Sequence, residues 1–342
     1  MKTAILVKGW IDIYHSYALV NYFQLKYLSK QNEITTYFEE TPYFSPSWVK
    51  SWSSGLTLNN YEGQSINAIY RISFPYVIED TSCHQFLFYT SESRKFEPTH
   101  FNRSLEDIRD LVNLGKLTLI TPSQESATAF TDHNISVEVI PHGYDPEIYF
   151  AQPEAGHNWR NRLSIPKAAK VYLNVSAMTG NKKIGIILAG FCQSEENCYL
   201  ILKGNSSLYR SSDLLQNQID IFIKNGILSP DLLKKASTRM RFVYDSLNFN
   251  EMRGLYNSCD AYVSAGINEG FDMPIIEAAA CGKAVITNKL SPNKFIASET
   301  FLFPDELTQI MNRELAAATL PPDYNYQNIA KKIAELIISK RK

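Results

Sequence analysis

A stretch around residue 270 constrains the fold more than any other part of this 342-residue chain. The apolar run Ala261-Tyr-Val-Ser-Ala265 has the composition of a buried strand, and Ala284-Val-Ile-Thr287 has it again. Between them, Pro274 stands where a first helical turn tolerates a missing N–H, and Gly282 stands where a helix can end. The order strand, loop, helix, strand is the repeating unit of a parallel α/β sheet. The stretch therefore predicts a parallel sheet covered by helices.

Two carboxylates accompany this unit. Glu269 lies in the loop after the first strand, and Glu277 lies about one turn into the helix. The N-terminus of a helix favours an anion such as a diphosphate, and a carboxylate suits the paired hydroxyls of a ribose. The alternative is a capped helix on which Glu277 is a solvated charge. The Gly-Phe-x-x-Pro segment and the run of small residues after Glu277 favour the binding site.

The segment Glu269-Gly-Phe-Asp-Met-Pro-Ile-Ile-Glu277-Ala-Ala-Ala-Cys-Gly resembles the Glu-x7-Glu signature of glycosyltransferase family 4, which contains retaining enzymes of GT-B architecture. The resemblance implies an α/β fold of two Rossmann-like domains that face an interdomain cleft, with the donor in the second domain. It implies that Glu277 holds the ribose and that Glu269 contacts the donor sugar in a catalytic role. Donor contacts are likewise implied for Gly270, Phe271 and Asp272. The family usually has glycine where this chain has Asp272, which puts the contacts of that position in question.

A lysine pair forms the second part of the expected donor site. The run from Lys182 to Phe191 resembles the helix start that places a lysine on the donor phosphates in this family. A cation is needed there because the leaving nucleoside diphosphate develops negative charge. Lys182 is the catalytic candidate, and Lys183 is the alternative donor contact. Ala177 replaces the arginine that the family usually has before this lysine. GT-B enzymes normally act without a metal, so we expect neither a metal site nor a cofactor.

The first strand of the chain, Thr3 to Val7, leads into a loop that begins near Gly9. In family 4 enzymes this loop lies over the donor diphosphate and the acceptor. The resemblance therefore implies a donor contact for Gly9 and cleft positions for His15 and Ser16. An ordinary polar residue at a helix start is an equal alternative for His15.

Two further cleft candidates follow from the resemblance. Many family members have a histidine just after the strand that corresponds to residues 85–90, where this chain has Ser91 and Glu92. We expect Glu92 or Ser91 to occupy that position. His142 lies in a Pro-His-Gly turn that resembles the end of the family's first domain. Its alternative is a side chain that packs in the linker.

The domain organisation follows from these matches. We predict a first domain over residues 1–150, a linker over 151–166, a second domain over 167–324, and a final helix over 325–342. The helix is expected to pack back on the first domain, with membrane contact as the alternative. The aromatic stretch 39–61 is expected to be irregular, and it either binds an acceptor sugar or packs onto its own domain.

Composition limits the class of protein. Five cysteines without a Cys-x-x-Cys pair argue against a disulfide framework and favour a reducing compartment, so we expect a cytoplasmic protein. The chain has no apolar run that could span a membrane, which leaves at most peripheral association. Residues 1–150 are acidic and argue weakly against nucleic acid, whereas the mildly basic remainder fits an anionic nucleotide.

The predicted function is a metal-independent, retaining transfer of a hexosyl group. The donor is a UDP- or GDP-linked sugar, and the acceptor is a hydroxyl of a carbohydrate or glycoconjugate. A catalytically weak or inactive binding protein is the alternative, because of Ala177, Asp272 and the missing histidine. A dinucleotide-dependent oxidoreductase is disfavoured because the chain has no Gly-x-Gly-x-x-Gly.

Overall fold

A computed structural model describes residues 2–340 of the chain. The chain divides into two compact units. Unit 1 consists of two segments of the chain, one that ends at Asp145 and one that begins at Asp323. Unit 2 comprises Pro146–Pro322. We predicted the division after residue 150, and the structure has it after Asp145.

Unit 1 is built on a sheet of six parallel strands. The apolar residues of its central strands are buried because helices cover both faces of a parallel sheet. The strands are β1 (Thr3–Gly9), β2 (Ile34–Glu40), β3 (Ala68–Ile72), β4 (His84–Phe88), β5 (Leu117–Thr121) and β6 (Val137–Val139). Their spatial order is β2-β1-β3-β4-β5-β6, so the direction of the chain order reverses between β1 and β3. Such a topological switch point is where open α/β sheets place their ligands.

Three helices of unit 1 follow its strands: α1 (Ser16–Leu28), α2 (Leu105–Asn113) and α3 (Gln124–Thr131). Side chains cap the start of each helix. Ser104 accepts a hydrogen bond from the backbone N–H of Asp107, whose carboxylate accepts in return from the N–H of Ser104. Ser123 caps α3 by accepting from the N–H of Ser126. These caps satisfy backbone donors that have no partner inside a helix.

The aromatic stretch after β2 lacks helices and long strands, as predicted, and packs onto unit 1. The indole N–H of Trp10 donates to the carbonyl of Pro42 over 2.8 Å. The ring centroid of Trp10 lies 5.7 Å from that of Trp48 and 6.4 Å from that of Tyr43. The packing alternative therefore accounts for Tyr43 and Trp48.

Unit 2 also contains six parallel strands. They are β7 (Lys170–Val175), β8 (Cys198–Lys203), β9 (Met240–Val243), β10 (Ala261–Ser264), β11 (Ala284–Asn288) and β12 (Glu299–Phe301). Their spatial order is β12-β11-β10-β7-β8-β9, which is the strand order of the Rossmann fold. The switch point of this sheet lies between β7 and β10.

Eight helices belong to unit 2. They are α4 (Pro153–Arg162), α5 (Ile184–Cys192), α6 (Ser206–Tyr209), α7 (Ser211–Lys224), α8 (Pro230–Ala236), α9 (Phe249–Ser258), α10 (Met273–Ala280) and α11 (Pro304–Met311). Helix α4 occupies most of the stretch 151–166 that we expected to be a linker. It packs on α9 so closely that a Cβ on Gly156 would lie 2.3 Å from the carbonyl oxygen of Asn257. The stretch is a structural helix of unit 2, and its few apolar residues concealed it in the sequence.

The last helix of the chain, α12 (Tyr326–Ser339), belongs to unit 1. Asn325 caps it, and Ile329 and Ile333 are buried on one face, as their helical spacing predicts. The ring of Tyr326 stacks on that of Phe23 in α1 at a centroid distance of 4.8 Å. Across residues 2–340, each helix is too short or too polar to cross a bilayer.

Candidate functional site

Two loops of unit 2 meet beside the switch point of its sheet. One follows β7 and contains a short 3-10 turn, Gly180–Lys182, and the other follows β10. The ammonium group of Lys182 lies 2.5 Å from Oε2 of Glu269, whose side chain is buried. Charge-assisted contacts of this kind are among the strongest hydrogen bonds in proteins. The structure thus brings together the two residues that the sequence named as catalytic candidates.

Two residues that the sequence analysis missed hold this pair in place. The side-chain amide of Asn181 donates to the backbone carbonyl of Asn268 over 3.1 Å, and the backbone carbonyl of Asn181 accepts from the N–H of Ile267 over 3.2 Å. Gly266 provides room for Glu269, because a Cβ there would lie 2.2 Å from the carboxylate Oε1. A glycine just after a buried strand is a visible signal for such a close approach. The role of Asn181 has no comparable signal in the sequence.

Asp272 precedes α10 and adopts a left-handed backbone, with φ 65° and ψ 68°. Glycine adopts this conformation without steric cost, and aspartate is one of the few other residues that tolerate it. A glycine, which the resemblance predicts at this position, would adopt the same backbone without strain. The carboxylate of Asp272 accepts a hydrogen bond from Oγ of Ser264 over 2.7 Å. Loss of hydration raises the pKa of Asp272, while the charge of Lys182 and the bond from Ser264 act in the opposite direction.

The turn before α10 is held by its own backbone and by one side chain of unit 2. The N–H of Ile275 donates to the carbonyl of Asp272 over 3.2 Å, and the side-chain amide of Asn293 donates to the carbonyl of Phe271. Gly270 and Phe271 are both buried in this turn. The first turn of α10 therefore has a fixed position at the carboxyl edge of the sheet, where its positive dipole favours an anion.

Glu277 lies inside α10, about one turn from its start, and is only 8% exposed. The hydroxyl of Tyr256 donates to its Oε2 over 2.5 Å. Burial raises the pKa of Glu277 to about 7, although hydrogen bonds from Tyr256 and Tyr149 lower it. A buried carboxylate among tyrosine hydroxyls is not the solvated charge of the alternative interpretation. Tyr256 is a further site residue that sequence spacing could not reveal.

The structure also shows the surroundings of Lys183 and Ala177, which follow β7 in the chain. Lys183 has a left-handed backbone with φ 49° and precedes α5. The carbonyl of Ala177 accepts from Oγ of Ser211 over 3.2 Å. Lys203 ends β8 beside Val175 at the same edge of the sheet, and its buried ammonium group donates to the carbonyl of Gly204. Burial lowers the pKa of Lys203 to about 8.

The predicted donor contact Gly9 ends β1, and the predicted cleft residues His15 and Ser16 lie at the start of α1 in unit 1. A Cβ on Gly9 would lie 2.4 Å from the carbonyl oxygen of Ile72, so close packing of β1 on β3 alone requires a glycine there. Nδ1 of His15 accepts from the N–H of Tyr17 over 3.2 Å and caps α1, which agrees with the helix-start alternative. Burial lowers the pKa of His15 to about 4. Ser16 is the exposed first residue of α1.

The other two candidates of unit 1 differ in exposure. His142 is only 4% exposed and packs on Phe88 with ring centroids 5.2 Å apart. Burial lowers the pKa of His142 to about 3, so the neutral ring fits the packing alternative. Glu92 is exposed and lies on the rim of a pocket of about 340 Å³.

Two α/β units with parallel six-stranded sheets define the GT-B fold, the architecture of many nucleotide-sugar-dependent transferases. Solved structures of known proteins share this arrangement over almost the whole chain. HepE of Anabaena, in complex with UDP-glucose, is 16% identical, with 99% of this chain and 97% of that chain covered and a TM-score of 0.61. Sucrose-phosphate synthase from Thermosynechococcus elongatus is 15% identical, with 99% of both chains covered and a TM-score of 0.66. The predicted GT-B fold is confirmed.

Unit 2 carries a match to a family model as well. Residues 173–321 match the model described as "Glycosyl transferases group 1". Lipopolysaccharide 1,2-N-acetylglucosaminetransferase of Salmonella typhimurium is 25% identical over 237 residues. That match covers 65% of this chain and 58% of the relative. The resemblance of unit 2 to a glycosyl transferase domain is confirmed at the level of group 1, and the assignment to family 4 stays a prediction.

Proposed function

We propose that this chain is a glycosyltransferase that moves a hexosyl group from a nucleotide-diphosphate sugar to an acceptor hydroxyl. The observation that carries the proposal is the contact of Lys182 with Glu269 beside the first turn of α10, at the switch point of the unit 2 sheet. A cation, a carboxylate and the positive end of a helix at one sheet edge are what a sugar diphosphate needs.

Each group has a distinct role in this proposal. The first turn of α10, with Gly270 and Phe271, binds the diphosphate, and Glu277 accepts hydrogen bonds from the ribose hydroxyls. Lys182 offsets the charge that develops on the leaving phosphate. Glu269 orients Lys182 and contacts the donor sugar.

The donor is proposed to be UDP-linked, with a GDP-linked sugar as the alternative. HepE, which shares the fold, binds UDP and UDP-glucose. The Salmonella relative is named as an N-acetylglucosaminetransferase. UDP-glucose and UDP-N-acetylglucosamine are therefore the first donors to test.

In the proposed reaction, the bond between the anomeric carbon and the β-phosphate oxygen breaks. The acceptor oxygen forms a new bond to that carbon on the same face, so the anomeric configuration is retained. The acceptor proton passes to the leaving phosphate, and the nucleoside diphosphate departs. This route needs no protein nucleophile and no metal ion, as the resemblance to family 4 implies.

The acceptor is proposed to be a carbohydrate or a glycoconjugate, with membrane contact that is at most peripheral. The name of the Salmonella relative makes a lipopolysaccharide oligosaccharide the first acceptor to assay. We expect no nucleic acid partner.

The test is a transfer assay with radiolabelled UDP-glucose and UDP-N-acetylglucosamine, with and without EDTA. We expect labelled product, EDTA-insensitive turnover, and an anomeric proton coupling in the product that matches the donor. Lys182→Ala should lower kcat at least tenfold because an uncompensated leaving-group charge raises the barrier. Lys224→Ala, an exposed lysine of the same unit, is the control. Equal kcat values for the two variants would rule out the assigned role of Lys182.

Ala177 supports a second candidate function, a GT-B protein that binds a sugar nucleotide with little or no turnover. The small side chain of Ala177 provides no cation where family 4 usually has an arginine. Tight UDP binding without transfer to any acceptor would favour this candidate, whereas product formation excludes it.

A further inference from the structure

Lys203 is a buried cation to which none of the roles above is assigned. It ends β8 and is only 6% exposed. Its ammonium group has three N–H donors, and one of them donates to the carbonyl of Gly204. The carboxylate of Asp245 attracts the ammonium group, but across residues 2–340 no carboxylate forms an ion pair with it. Burying such a charge costs folding free energy, so a lysine at this position needs a compensating role.

The strand register places Lys203 next to the switch point of the unit 2 sheet. Lys203 pairs with Val175 across β8 and β7. The register of β10 with β7, continued by two residues, places Ser264 on the other side of Val175. Neighbouring strands lie about 4.8 Å apart, and paired residues point to the same face of a sheet. A ligand between β7 and β10 is therefore about one strand spacing from β8, within reach of the long stem of a lysine.

The side chain of Lys203 lies on the same face of the sheet as Glu277. Leu202, the preceding residue, points into the apolar core on the opposite face. The strand pairings place Tyr262 on the face of Lys203. The ring of Tyr262 lies 6.3 Å from that of Tyr256 in α9, and Tyr256 bonds Glu277 in α10. The buried cation and the proposed ribose ligand thus share one side of the sheet.

The loops that follow β7 and β8 are tied together beside Lys203. The N–H of Ser176 donates to the carbonyl of Lys203 over 3.0 Å. Oγ of the buried Ser211 accepts from the N–H of Asn205 over 2.9 Å and lies 3.2 Å from the carbonyl oxygen of Ala177. These contacts fix Lys203 against the loop that leads to Lys182, so little ordering is needed when a ligand binds.

Lys182 alone does not balance the charge of a diphosphate. Its ammonium group lies 2.5 Å from Oε2 of Glu269, and it also attracts the carboxylate of Asp272. One cation beside two carboxylates leaves no positive charge to offset a diphosphate. Lys183 is half-exposed, so water screens its charge more than that of the buried Lys203.

We propose that the ammonium group of Lys203 binds the diphosphate of the nucleotide donor and supplies the second cation of the donor site. One of its N–H groups stays on the carbonyl of Gly204, and another donates to a phosphate oxygen. The inference rests on the proposed function, from which it takes its ligand. It adds to that function a binding residue at the end of β8.

The test is calorimetric titration of the full-length protein with inorganic pyrophosphate, UDP and uridine. Lys203→Met replaces the ammonium group by an uncharged side chain of similar length. We expect the Kd for pyrophosphate and for UDP to rise at least tenfold, because a charge-assisted hydrogen bond is lost. The Kd for uridine, which has no phosphate, should change less than twofold. A wild type that does not bind pyrophosphate, an unchanged pyrophosphate Kd in the variant, or an equal loss for uridine would overturn the proposal.

A stability measurement separates binding from folding. Lys203→Met removes a buried charge, so in urea unfolding we expect it to be at least as stable as the wild type. Lys224→Met, at an exposed lysine of the same unit, is the matched control and should leave the Kd for each probe unchanged. A destabilised Lys203→Met variant that binds pyrophosphate like the wild type would show that Lys203 is purely structural.

The two proposals fail in different ways. If the wild type transfers sugar and Lys203→Met keeps the wild-type Kd for UDP, the role of Lys203 is wrong and the proposed function stands. If pyrophosphate binds through Lys203 but the wild type transfers sugar to no acceptor, the diphosphate site stands and the transfer is wrong.

Discussion

At the scale of single residues, Glu277 is the group whose protonation should control nucleotide affinity. Its carboxyl group is buried, and its pKa is raised to about 7. A carboxylate accepts from both ribose hydroxyls only when it is ionised. We expect the Kd for UDP to weaken as pH falls below 7, by up to about tenfold per pH unit. Calorimetric titration between pH 5.5 and 8.5 measures this.

Glu277→Gln should bind UDP weakly at every pH and lose this pH dependence. Glu314→Gln, an exposed residue of unit 2, is the matched control and should behave like the wild type. The raised pKa of Glu277 has the opposite effect on the folding stability of the protein without ligand. A carboxyl group whose pKa is raised on folding stabilises the fold at low pH, and this contribution is lost as pH rises through about 7. A pH-independent Kd in the wild type would contradict the role assigned to Glu277.

Asp272 has structural features that the sequence alone does not predict. The resemblance named Lys182 and Glu269 as site residues, and the structure brings their side chains together beside α10. It also marked Asp272 as a departure. Neither the left-handed backbone of Asp272 nor its bond to Ser264 can be read from the sequence, because both depend on how the turn closes.

The backbone at Asp272 leads to a prediction about a pair of variants. Asp272→Gly and Asp272→Ala both remove the carboxylate, but only alanine retains a Cβ in the left-handed region. We expect the alanine variant to be less stable than the glycine variant by about 1 kcal/mol. Urea unfolding measures the difference. Equal stability would mean that residue 272 does not keep this backbone conformation in solution.

At the scale of elements, helix α4 is an example of an element that a hydrophobic pattern does not predict. The strands β10 and β11 are short apolar runs, and the sequence predicts each of them within one residue at either end. Helix α4 is polar over most of its length, and only Gly156 and Trp159 are buried. Its partner, α9, lies about a hundred residues further along the chain, so no local pattern marks the stretch as a packed helix.

Gly156 tests whether α4 is a packed part of unit 2. A Cβ there would lie 2.3 Å from the carbonyl oxygen of Asn257. This oxygen belongs to the backbone, so it cannot move aside as the end of a flexible side chain could. We expect Gly156→Ala to destabilise the protein by about 1–3 kcal/mol, despite the higher helix propensity of alanine. Gly180→Ala, where an added Cβ meets nothing within 4 Å, is the control. A stabilising effect of Gly156→Ala would show that α4 does not pack on α9.

At the scale of the whole molecule, two separate sheets allow ligands to be assigned to units. Unit 1 and unit 2 each have their own parallel sheet and switch point. The resemblance to family 4 predicted two domains; it is strong over Glu269–Gly282 and covers the second domain and the end of the first. It revealed least about residues 30–115, where the pocket of unit 1 is formed by aromatic residues without a recognisable motif.

The thermal stability of the protein should depend on which nucleotide is present. A ligand that binds only the folded state stabilises it by about 2.7 kcal/mol when its concentration is a hundred times Kd. We expect UDP to raise the melting temperature of the wild type, and CMP and ADP to leave it unchanged. Hydrogen exchange should show UDP protection in residues 176–183 and 266–277, the two loops that meet at Lys182 and Glu269. Protection confined to unit 1 would reverse the assignment of the donor to unit 2, whereas a shift with GDP alone would keep the site and change the base.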